Sequence, residues 1–554
     1  MILTEDQLQD LLDKSLAELP RGSEWAATLE GSIAEGFGNS SSDIDFLLVA
    51  RSEDDLPTMP SLLFVDGRRV EIRTRSVRQL AGQLRAVEEG AARPGRLSED
   101  ILNRCQRLLH SHPLRGHALI DEVKGLLPVE RFRGITADWW AHRARQSLRH
   151  AMALLCLGES EEAVDWTRAG LVETVKSWAA RLGETYLEPK WLSMQLDRAG
   201  RGDVRDRYWQ LEAAAAPAPG DPDAAHTHLT AALAFAADLG LTGVPRQPER
   251  ITVRRVHGVT TWQTGDRVHV LRGRREVFAL GDAAGAVWRS LVLGRPLPQV
   301  LATAAGSGVG DPGPLLATFL RYGLIRLAWK GGGTIAPSLP LAAPPGPVTP
   351  PPSTARPLLS LRGGAVGGPR AVDLMPLPAD RFAAAAMALV WSNVVVENAV
   401  EDLTGALQRG QWRVAELTAR RAVHAALRGL FSAHGVNPLP ADADLVRRLD
   451  LLPSSDGGPI GARAGELLRR AVDTPDQGDT LLTDLRSFIA LVRGAVGADS
   501  FPLSFESADT WRATLELGYD WLRIGAHLDA ELPIEEARDL LACNGTQPHQ
   551  AAAR

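Results

Sequence analysis

The pattern of apolar and polar positions in residues 1–95 is that of a small α/β domain. An amphipathic helix is predicted for the first twenty residues, where Thr4 and Gln7 have the spacing of a capping box. Short apolar runs predict one strand at residues 26–30 and another that follows Asp45. Strands and helices therefore alternate in this segment, as they do in a compact α/β domain.

Helical spacing dominates the rest of the chain. It is interrupted by one segment with strand alternation and by two stretches rich in Ala, Pro and Gly, which are typical of linkers. The sequence thus predicts a multidomain α+β protein. The predicted N-terminal half consists of an α/β core at 1–95 and a helical bundle at 96–212. Residues 213–247 follow as a linker (213–225) and a helix, and they lead to a small winged-helix domain at 248–330. A flexible Pro/Gly-rich linker at 331–375 then connects to a C-terminal helical bundle at 376–545.

The two helical segments can be aligned without gaps by a shift of 252 positions. This shift carries Gly158 onto Gly410 and Gly183 onto Gly435, and it superposes apolar positions between them. Chance similarity between two amphipathic helices is the alternative explanation. The alignment indicates that the second bundle is a degenerate repeat of the first.

The composition narrows the class of protein. Of the 554 residues, 45% are hydrophobic and 23% are charged, which is typical of a soluble globular protein. The net charge of −6 makes nucleic acid an unfavoured partner. Three isolated cysteines lack the spacing of a zinc site and suggest a reducing compartment. We find no signal-peptide core and no segment of membrane-spanning length, so we expect a cytoplasmic protein without a membrane partner.

Acidic residues at the start of a strand are the main candidates for chemistry. Asp43 and Asp45 are one residue apart, so their side chains point the same way from an extended backbone. Charged and apolar residues alternate around Glu71, which places this acid opposite to its apolar neighbours on a later strand. Carboxylates suit Mg²⁺, and the turn at Gly31 and Ser32 could face a phosphate. The alternative is an ordinary strand–turn–strand unit with solvated acids.

Residues 20–80 resemble the DNA polymerase beta-like nucleotidyltransferase superfamily. The resemblance lies in the Gly31-Ser32 turn, the spacer, and Ser42-Asp43-Ile-Asp45 leading into an apolar strand. It implies transfer of a nucleoside monophosphate, most simply AMP from ATP, with two Mg²⁺ ions. The implied metal and catalytic residues are Asp43, Asp45 and Glu71, and the implied nucleotide-binding residues include Gly31, Ser32 and Ser42.

Residues 138–200 resemble the helical domain that follows the catalytic core in kanamycin-type nucleotidyltransferases. The similarity rests on Glu173, Lys176 and the segment around Lys190. It implies that Glu173 is a catalytic base for the acceptor hydroxyl and that both lysines bind the triphosphate, in a protein that could dimerise. The alternative for all three is a solvated charge on a helix surface.

Residues 248–330 resemble the peptide-chaperone family of pyrroloquinoline quinone biosynthesis. The resemblance lies in the strand ending at Leu280, the helix containing Trp288 and the segment 320–325. It implies that a ribosomally made precursor peptide binds as an added strand and is the acceptor. A DNA-binding winged helix is the rival interpretation of the same segment. Two other functions stay open: an antibiotic-type nucleotidyltransferase with a small-molecule acceptor, and a non-catalytic regulatory protein.

Overall fold

The computed structural model describes residues 3–17, 25–39, 42–52, 56, 60–214, 221–244, 247–273, 276–336, 379–434, 436, 439–452, 454–496, 509–510 and 512. They form a multidomain α+β protein, as the sequence predicts. The chain divides into two compact units. The first comprises Met1–Phe132, Tyr186–Met194 and Pro345–Arg554, and the second comprises Arg133–Thr185 and Gln195–Pro344.

The helices and strands follow one another in three groups. The N-terminal group is α1 (Glu5–Ala17), β1 (Ala26–Glu30), α2 (Gly31–Ala34), β2 (Ile44–Ala50), β3 (Ser61–Val65), β4 (Arg68–Ser76), α3 (Val77–Gly90), α4 (Glu99–Leu109), β5 (His112–Arg115) and α5 (His117–Lys124). The middle group is α6 (Val129–Cys156), α7 (Ser160–Arg181), α8 (Leu192–Arg198), α9 (Gly202–Ala214), α10 (Pro222–Asp238), β6 (Ile251–Arg255), β7 (Val259–Thr264), β8 (Arg267–Arg272), β9 (Glu276–Leu280), α11 (Asp282–Ser290), α12 (Leu297–Ala305), α13 (Gly313–Arg321) and β10 (Ile325–Trp329). The last group is α14 (Ala379–Gln408), α15 (Trp412–Ala433), α16 (Asp442–Leu445), α17 (Ser454–Arg469) and α18 (Pro475–Val496).

The N-terminal domain is built on a five-stranded sheet with the order β3-β4-β2-β1-β5. Strand β2 lies at the centre, parallel to β4 and antiparallel to β1, and every one of its residues is buried. Strand β1 occupies the predicted residues 26–30. Strand β5 pairs with β1 at the edge, so the sheet domain extends past the boundary predicted at residue 95.

Helix α1 begins with the predicted capping box. The Thr4 N–H donates to Gln7 Oε1 at 2.9 Å, and the Gln7 N–H donates to Thr4 Oγ1 at 3.3 Å. One apolar core then joins Leu8 and Leu12 of this helix to β-strand residues such as Phe46. Burial of these side chains is the main stabilising term that holds the helix on the sheet.

The second unit combines the first helical bundle with the small middle domain. Helix α6 begins at Val129, and α10 begins at Pro222, inside the predicted linker. Helices and small domain share one apolar core. Arg321 adds ion pairs with Glu159 at 2.8 Å and Glu162 at 2.6 Å. The middle domain is therefore packed firmly on helices α6 and α7.

Strands of the middle domain form two separate sheets. Strands β7, β8 and β9 make an antiparallel three-stranded sheet in that order, while β6 pairs with β10. The sequence pattern indicates the strands that begin at Ile251, Arg267 and Glu276, but it misses β7 and β10. Strand β7 is missed because it has a single buried residue, Val259, and so lacks apolar alternation.

Helix boundaries of the two bundles agree with the predicted shift. A shift of 252 positions carries the two ends of α7 onto the two ends of α15, and it carries the start of α9 onto the start of α17. The turns before α7 and α15 each contain a glycine at positive φ, Gly158 at 81° and Gly410 at 64°. Gly435, the predicted partner of Gly183, lies outside the described residues. The two bundles thus share one order of helices.

Three other predictions concern composition and linkers. Cys105 is buried and Cys156 half-buried, and both are free thiols, while Cys543 lies outside the described residues. Most of the predicted linker at 331–375, and the end of the C-terminal bundle to 545, also lie outside them. Within the described part of the chain, no helix combines the length and apolarity needed to cross a membrane.

Candidate metal centre

Three carboxylates converge where the central strands of the N-terminal sheet begin. Asp43 directly precedes β2, Asp45 is its second residue, and Glu71 stands beside Asp45 in the parallel pairing of β2 with β4. Their oxygen atoms lie within 4.8 Å of one another. The sequence predicts this convergence because side chains alternate between the two faces of a strand, so that all three acids lie on the same face of the sheet. Oxygen ligands at this spacing can hold a divalent cation.

Gly31 allows the turn after β1 to approach Asp45 closely. Its φ of +74° is in the left-handed region that disfavours other residues, and a Cβ atom there would overlap Asp45 Oδ2. The Ser32 carbonyl then accepts hydrogen bonds from the Phe37 and Gly38 N–H groups, both at 2.8 Å. The Ser32 hydroxyl is half-buried. Glycine is therefore required at this position by both backbone conformation and space.

Ser42 fixes the chain just before the first aspartate. Its N–H donates to the Asn39 carbonyl at 3.1 Å, and its hydroxyl accepts from the Asn39 N–H at 2.9 Å. The hydroxyl also donates to Asn39 Oδ1 at 3.3 Å. These bonds satisfy the Ser42 side chain within the turn. The direct contact of Ser42 is thus with the turn that presents Asp43.

Arginines surround the acids, and the sequence analysis did not single them out. Arg107 pairs with Asp45 at 2.6 Å and with Glu30 at 3.1 Å, and Arg73 also pairs with the buried Glu30. Arg69 lies 3.3 Å from Asp43. Alternation along β4 could have identified Arg69 and Arg73, because they lie on the same face as Glu71. No comparable signal existed for Arg107, which comes from α4.

Burial and repulsion from neighbouring acids favour the neutral form of Asp45 and of Glu71. Burial raises the pKa of Asp45 to about 8, repulsion from Asp43 and Glu71 adds to the shift, and Arg107 and Arg73 oppose it. The pKa of Glu71 is raised too, chiefly by burial and against the attraction of Arg107 and Arg73. The cluster therefore has a strong tendency to take up a cation, whether a proton or a metal ion.

Helix α14 of the second helical bundle contacts the same site. Arg69 pairs with Glu401 at 2.6 Å and donates to Asn398 Oδ1 at 3.2 Å. Farther along, Arg409 donates to the Gly38 carbonyl, and Gly405 lies so close to Asn39 that a Cβ atom would overlap the amide group. The second bundle is thus packed on the turn and on the arginine beside Asp43.

Lys190 lies in the first unit, near the turn that follows Gly31. It pairs with Asp402 of α14 at 2.5 Å, and its ammonium group lies 5.3 Å from the ring centre of Trp191. The Trp191 ring stacks on Phe37, with ring centres 5.7 Å apart. The segment 186–194 thus leaves the first bundle and packs with the turn and with the second bundle.

Glu173 and Lys176 lie in the second unit, and neither is a solvated surface charge. Glu173 is buried, pairs with Arg143 at 3.1 Å and accepts from the Ser147 hydroxyl at 2.7 Å. The ammonium group of Lys176, also buried, donates to Gln195 Oε1 at 2.5 Å. Each of these two charged groups thus has a polar partner within the second unit.

Comparison with known proteins adds no assignment to this geometry. No protein-family model matches the sequence, and no curated protein matches it. The three carboxylates nevertheless fit Mg²⁺, a hard cation that prefers oxygen ligands and usually takes one or two carboxylates with substrate phosphates. The functional conclusion accordingly rests on the residues of this chain.

Replacing Gly31 tests the contact between the turn and Asp45. We expect Gly31→Ala to weaken Mn²⁺ binding at the cluster strongly, because the new methyl group displaces the Asp45 carboxylate. Gly36→Ala is the matched control, since Gly36 also has a positive φ of 77° but has open space around it. Both variants should lose about 1–2 kcal/mol through backbone strain. Equal Mn²⁺ affinities in the two variants, measured by electron paramagnetic resonance, would contradict this interpretation.

The pKa of Asp45 predicts how metal affinity depends on pH. Below about pH 8 the carboxyl group is protonated, so a metal ion must displace the proton. We expect Mg²⁺ affinity to rise with pH by about tenfold per unit up to about pH 8 and to level off above it. Calorimetric titrations between about pH 6 and pH 9 measure this, with Asp45→Asn as the control. An affinity independent of pH in the native protein would rule the prediction out.

Proposed function

We propose that this protein is a Mg²⁺-dependent nucleotidyltransferase that moves a nucleoside monophosphate, AMP from ATP in the simplest case, to an acceptor. One observation carries the proposal: the carboxylates of Asp43, Asp45 and Glu71 converge beside the turn at Gly31 and Ser32. The order of turn, paired aspartates and third acid is that of the polymerase beta-like superfamily, which the sequence resembles. Geometry and motif thus support the same chemistry.

Asp43, Asp45 and Glu71 would hold the metal in this proposal. Bound Mg²⁺ supplies positive charge that offsets the negative charge of the reacting phosphate groups. Arg107 and Arg73 keep Glu30 and Asp45 in place, so the carboxylates do not move apart under their mutual repulsion. Gly31 brings the turn close to Asp45, where backbone N–H groups can hold the triphosphate.

The transfer exchanges one bond to phosphorus for another. An oxygen atom of the acceptor bonds to the α-phosphorus, the bond to the departing pyrophosphate breaks, and the acceptor oxygen loses its proton. Glu71, the third acid beside the paired aspartates, is the residue placed to help activate that oxygen. The resemblance also proposes Glu173 as a base and Lys176 as a triphosphate-binding residue, and both are hydrogen-bonded to partners within the second unit.

A ribosomally made peptide is the acceptor that the middle domain favours. Strand β9 lies at an edge of the three-stranded sheet, and most of its residues are exposed or half-buried. Val277 of this strand is 65% exposed. An edge strand offers unpaired backbone groups to which an extended peptide can add. The exposed edge of β9 therefore supports the proposal that the middle domain binds a peptide.

Substituting one metal ligand tests the proposed reaction. The protein is incubated with Mg²⁺, each of the four nucleoside triphosphates labelled at the α-phosphate, and the small-peptide fraction of its native cells. We expect Asp45→Asn to abolish transfer of the label to peptide while leaving the fold unchanged. Asp66→Asn is the matched control, because Asp66 is an exposed aspartate of the same domain, at the turn between β3 and β4.

Mass spectrometry of the labelled products identifies the acceptor. A nucleoside monophosphate added to a peptide by the native protein and by Asp66→Asn supports both parts of the proposal. Label on small molecules alone would move the assignment to an antibiotic-type enzyme. Persistent transfer by Asp45→Asn would reject the role of the three acids.

A further inference from the structure

Arg69 connects the metal centre to the second helical bundle. Its side chain is only 9% exposed and lies between two acids, Asp43 at 3.3 Å and Glu401 at 2.6 Å. We propose that Glu401 is a positioning residue of the metal centre, which acts through Arg69 to keep the Asp43 carboxylate available to the cation. This inference rests on the proposed function, since it concerns the same metal site.

The contacts of Arg69 with its two acids differ in distance. Nη1 meets Glu401 at the shorter distance, whereas Nη2 is shared between Asp43 and the Asn398 side chain, at 3.3 and 3.2 Å. A guanidinium group has five N–H donors in a fixed plane, so its position is set by its strongest partner. Glu401 therefore fixes one nitrogen of the guanidinium group, while the other nitrogen is shared between Asp43 and Asn398. Asp43 keeps a carboxylate that a metal ion can bind.

The charges around the cluster support the same conclusion. Five carboxylates and three guanidinium groups lie in one connected set, so their formal charges leave an excess of two negative charges when all are ionised. Two negative charges are balanced by one divalent cation. Without Glu401 the excess would be only one negative charge. The set consists of Glu30, Asp43, Asp45, Glu71 and Glu401 with Arg69, Arg73 and Arg107.

One face of α14 is specialised for this contact. Asn398, Glu401 and Gly405 lie three or four residues apart, so they share a face of the helix. Gly405 lets the helix approach Asn39, and one turn later Arg409 binds the Gly38 carbonyl. These contacts hold the helix at the turn that leads to Asp43.

The first helical bundle lacks this specialisation. The shift of 252 positions places Gln146 at the position of Asn398, Arg149 at that of Glu401 and Leu157 at that of Arg409. An arginine in place of Glu401 would repel Arg69 instead of holding it. Glu401 is thus found in the second helical bundle, which belongs to the same compact unit as the metal centre.

Mn²⁺ binding measured by electron paramagnetic resonance on the full chain tests the inference without requiring turnover. We expect Glu401→Gln to weaken binding by about tenfold, the lower end of the usual effect of losing a direct partner of a metal ligand, because Glu401 acts on Asp43 through Arg69. Glu397→Gln is the matched control, because Glu397 lies one turn earlier on the same helix and pairs with Arg493. Its Mn²⁺ affinity should equal that of the native protein.

A double substitution separates an effect through Arg69 from a general effect of charge. In the Arg69→Met background, Glu401→Gln should cause no further loss of affinity, because the connecting side chain is gone. Additive losses would overturn the inference. Glu401→Asp, which keeps the charge, should retain more affinity than Glu401→Gln, and equal losses in the two variants would count against it.

The outcomes distinguish this inference from the proposed function. If the native protein binds no Mn²⁺ at the cluster, the proposed metal assignment itself fails. If the native protein binds Mn²⁺ and Glu401→Gln binds it equally well, the metal assignment stands and the role of Glu401 is rejected. Circular dichroism of each variant verifies that the helices are retained.

Discussion

Repulsion among three closely spaced carboxylates, one buried and two half-buried, is the constraint around which the N-terminal domain is organised. Asp43, Asp45 and Glu71 are brought together by two parallel strands at the centre of the sheet, where burial makes ionised acids costly. The protein offsets this cost with arginines that are themselves held by further acids, Glu30 in the sheet and Glu401 in α14. Charge balance at one site thereby links distant parts of the chain.

The sequence predicts those parts of the site that depend on local periodicity. Alternation of side chains is enough to place Asp43, Asp45 and Glu71 on one face, and glycine next to serine is enough to suggest a tight turn. The strand at residues 26–30 and the capping box at Thr4 are confirmed for the same reason, since their signals lie within a few residues. The roles in metal binding and catalysis stay predictions.

Residues that reach the site from other elements could not be predicted in this way. Arg107 comes from α4, which the sequence pattern assigns to the helical bundle, and only the pairing of β5 with β1 shows that this region belongs to the sheet domain. Glu401 is separated from Arg69 by more than three hundred positions. The resemblance predicts Glu173 as a catalytic base and Lys176 as a triphosphate-binding residue, and both roles stay predictions, although burial and hydrogen bonding show that neither residue is a solvated surface charge.

The two helical bundles have the same order of helices but different surroundings. The first shares an apolar core with the middle domain, and the second lies in one compact unit with the sheet domain. The aligned positions nevertheless differ in charge, with Arg149 in the first bundle at the position of Glu401 in the second. The contact with Arg69 therefore depends on side chains that the second bundle does not share with the first.

Anomalous diffraction from crystals grown with Mn²⁺ and a non-hydrolysable ATP analogue tests the central claim most directly. The account predicts a Mn²⁺ peak within about 2.0–2.3 Å of oxygen atoms from Asp43 and Asp45, with Glu71 facing it and the triphosphate beside Gly31. A Mn²⁺ peak elsewhere, or nucleotide bound with Arg107 still covering Asp45 and no metal at the three acids, would contradict it.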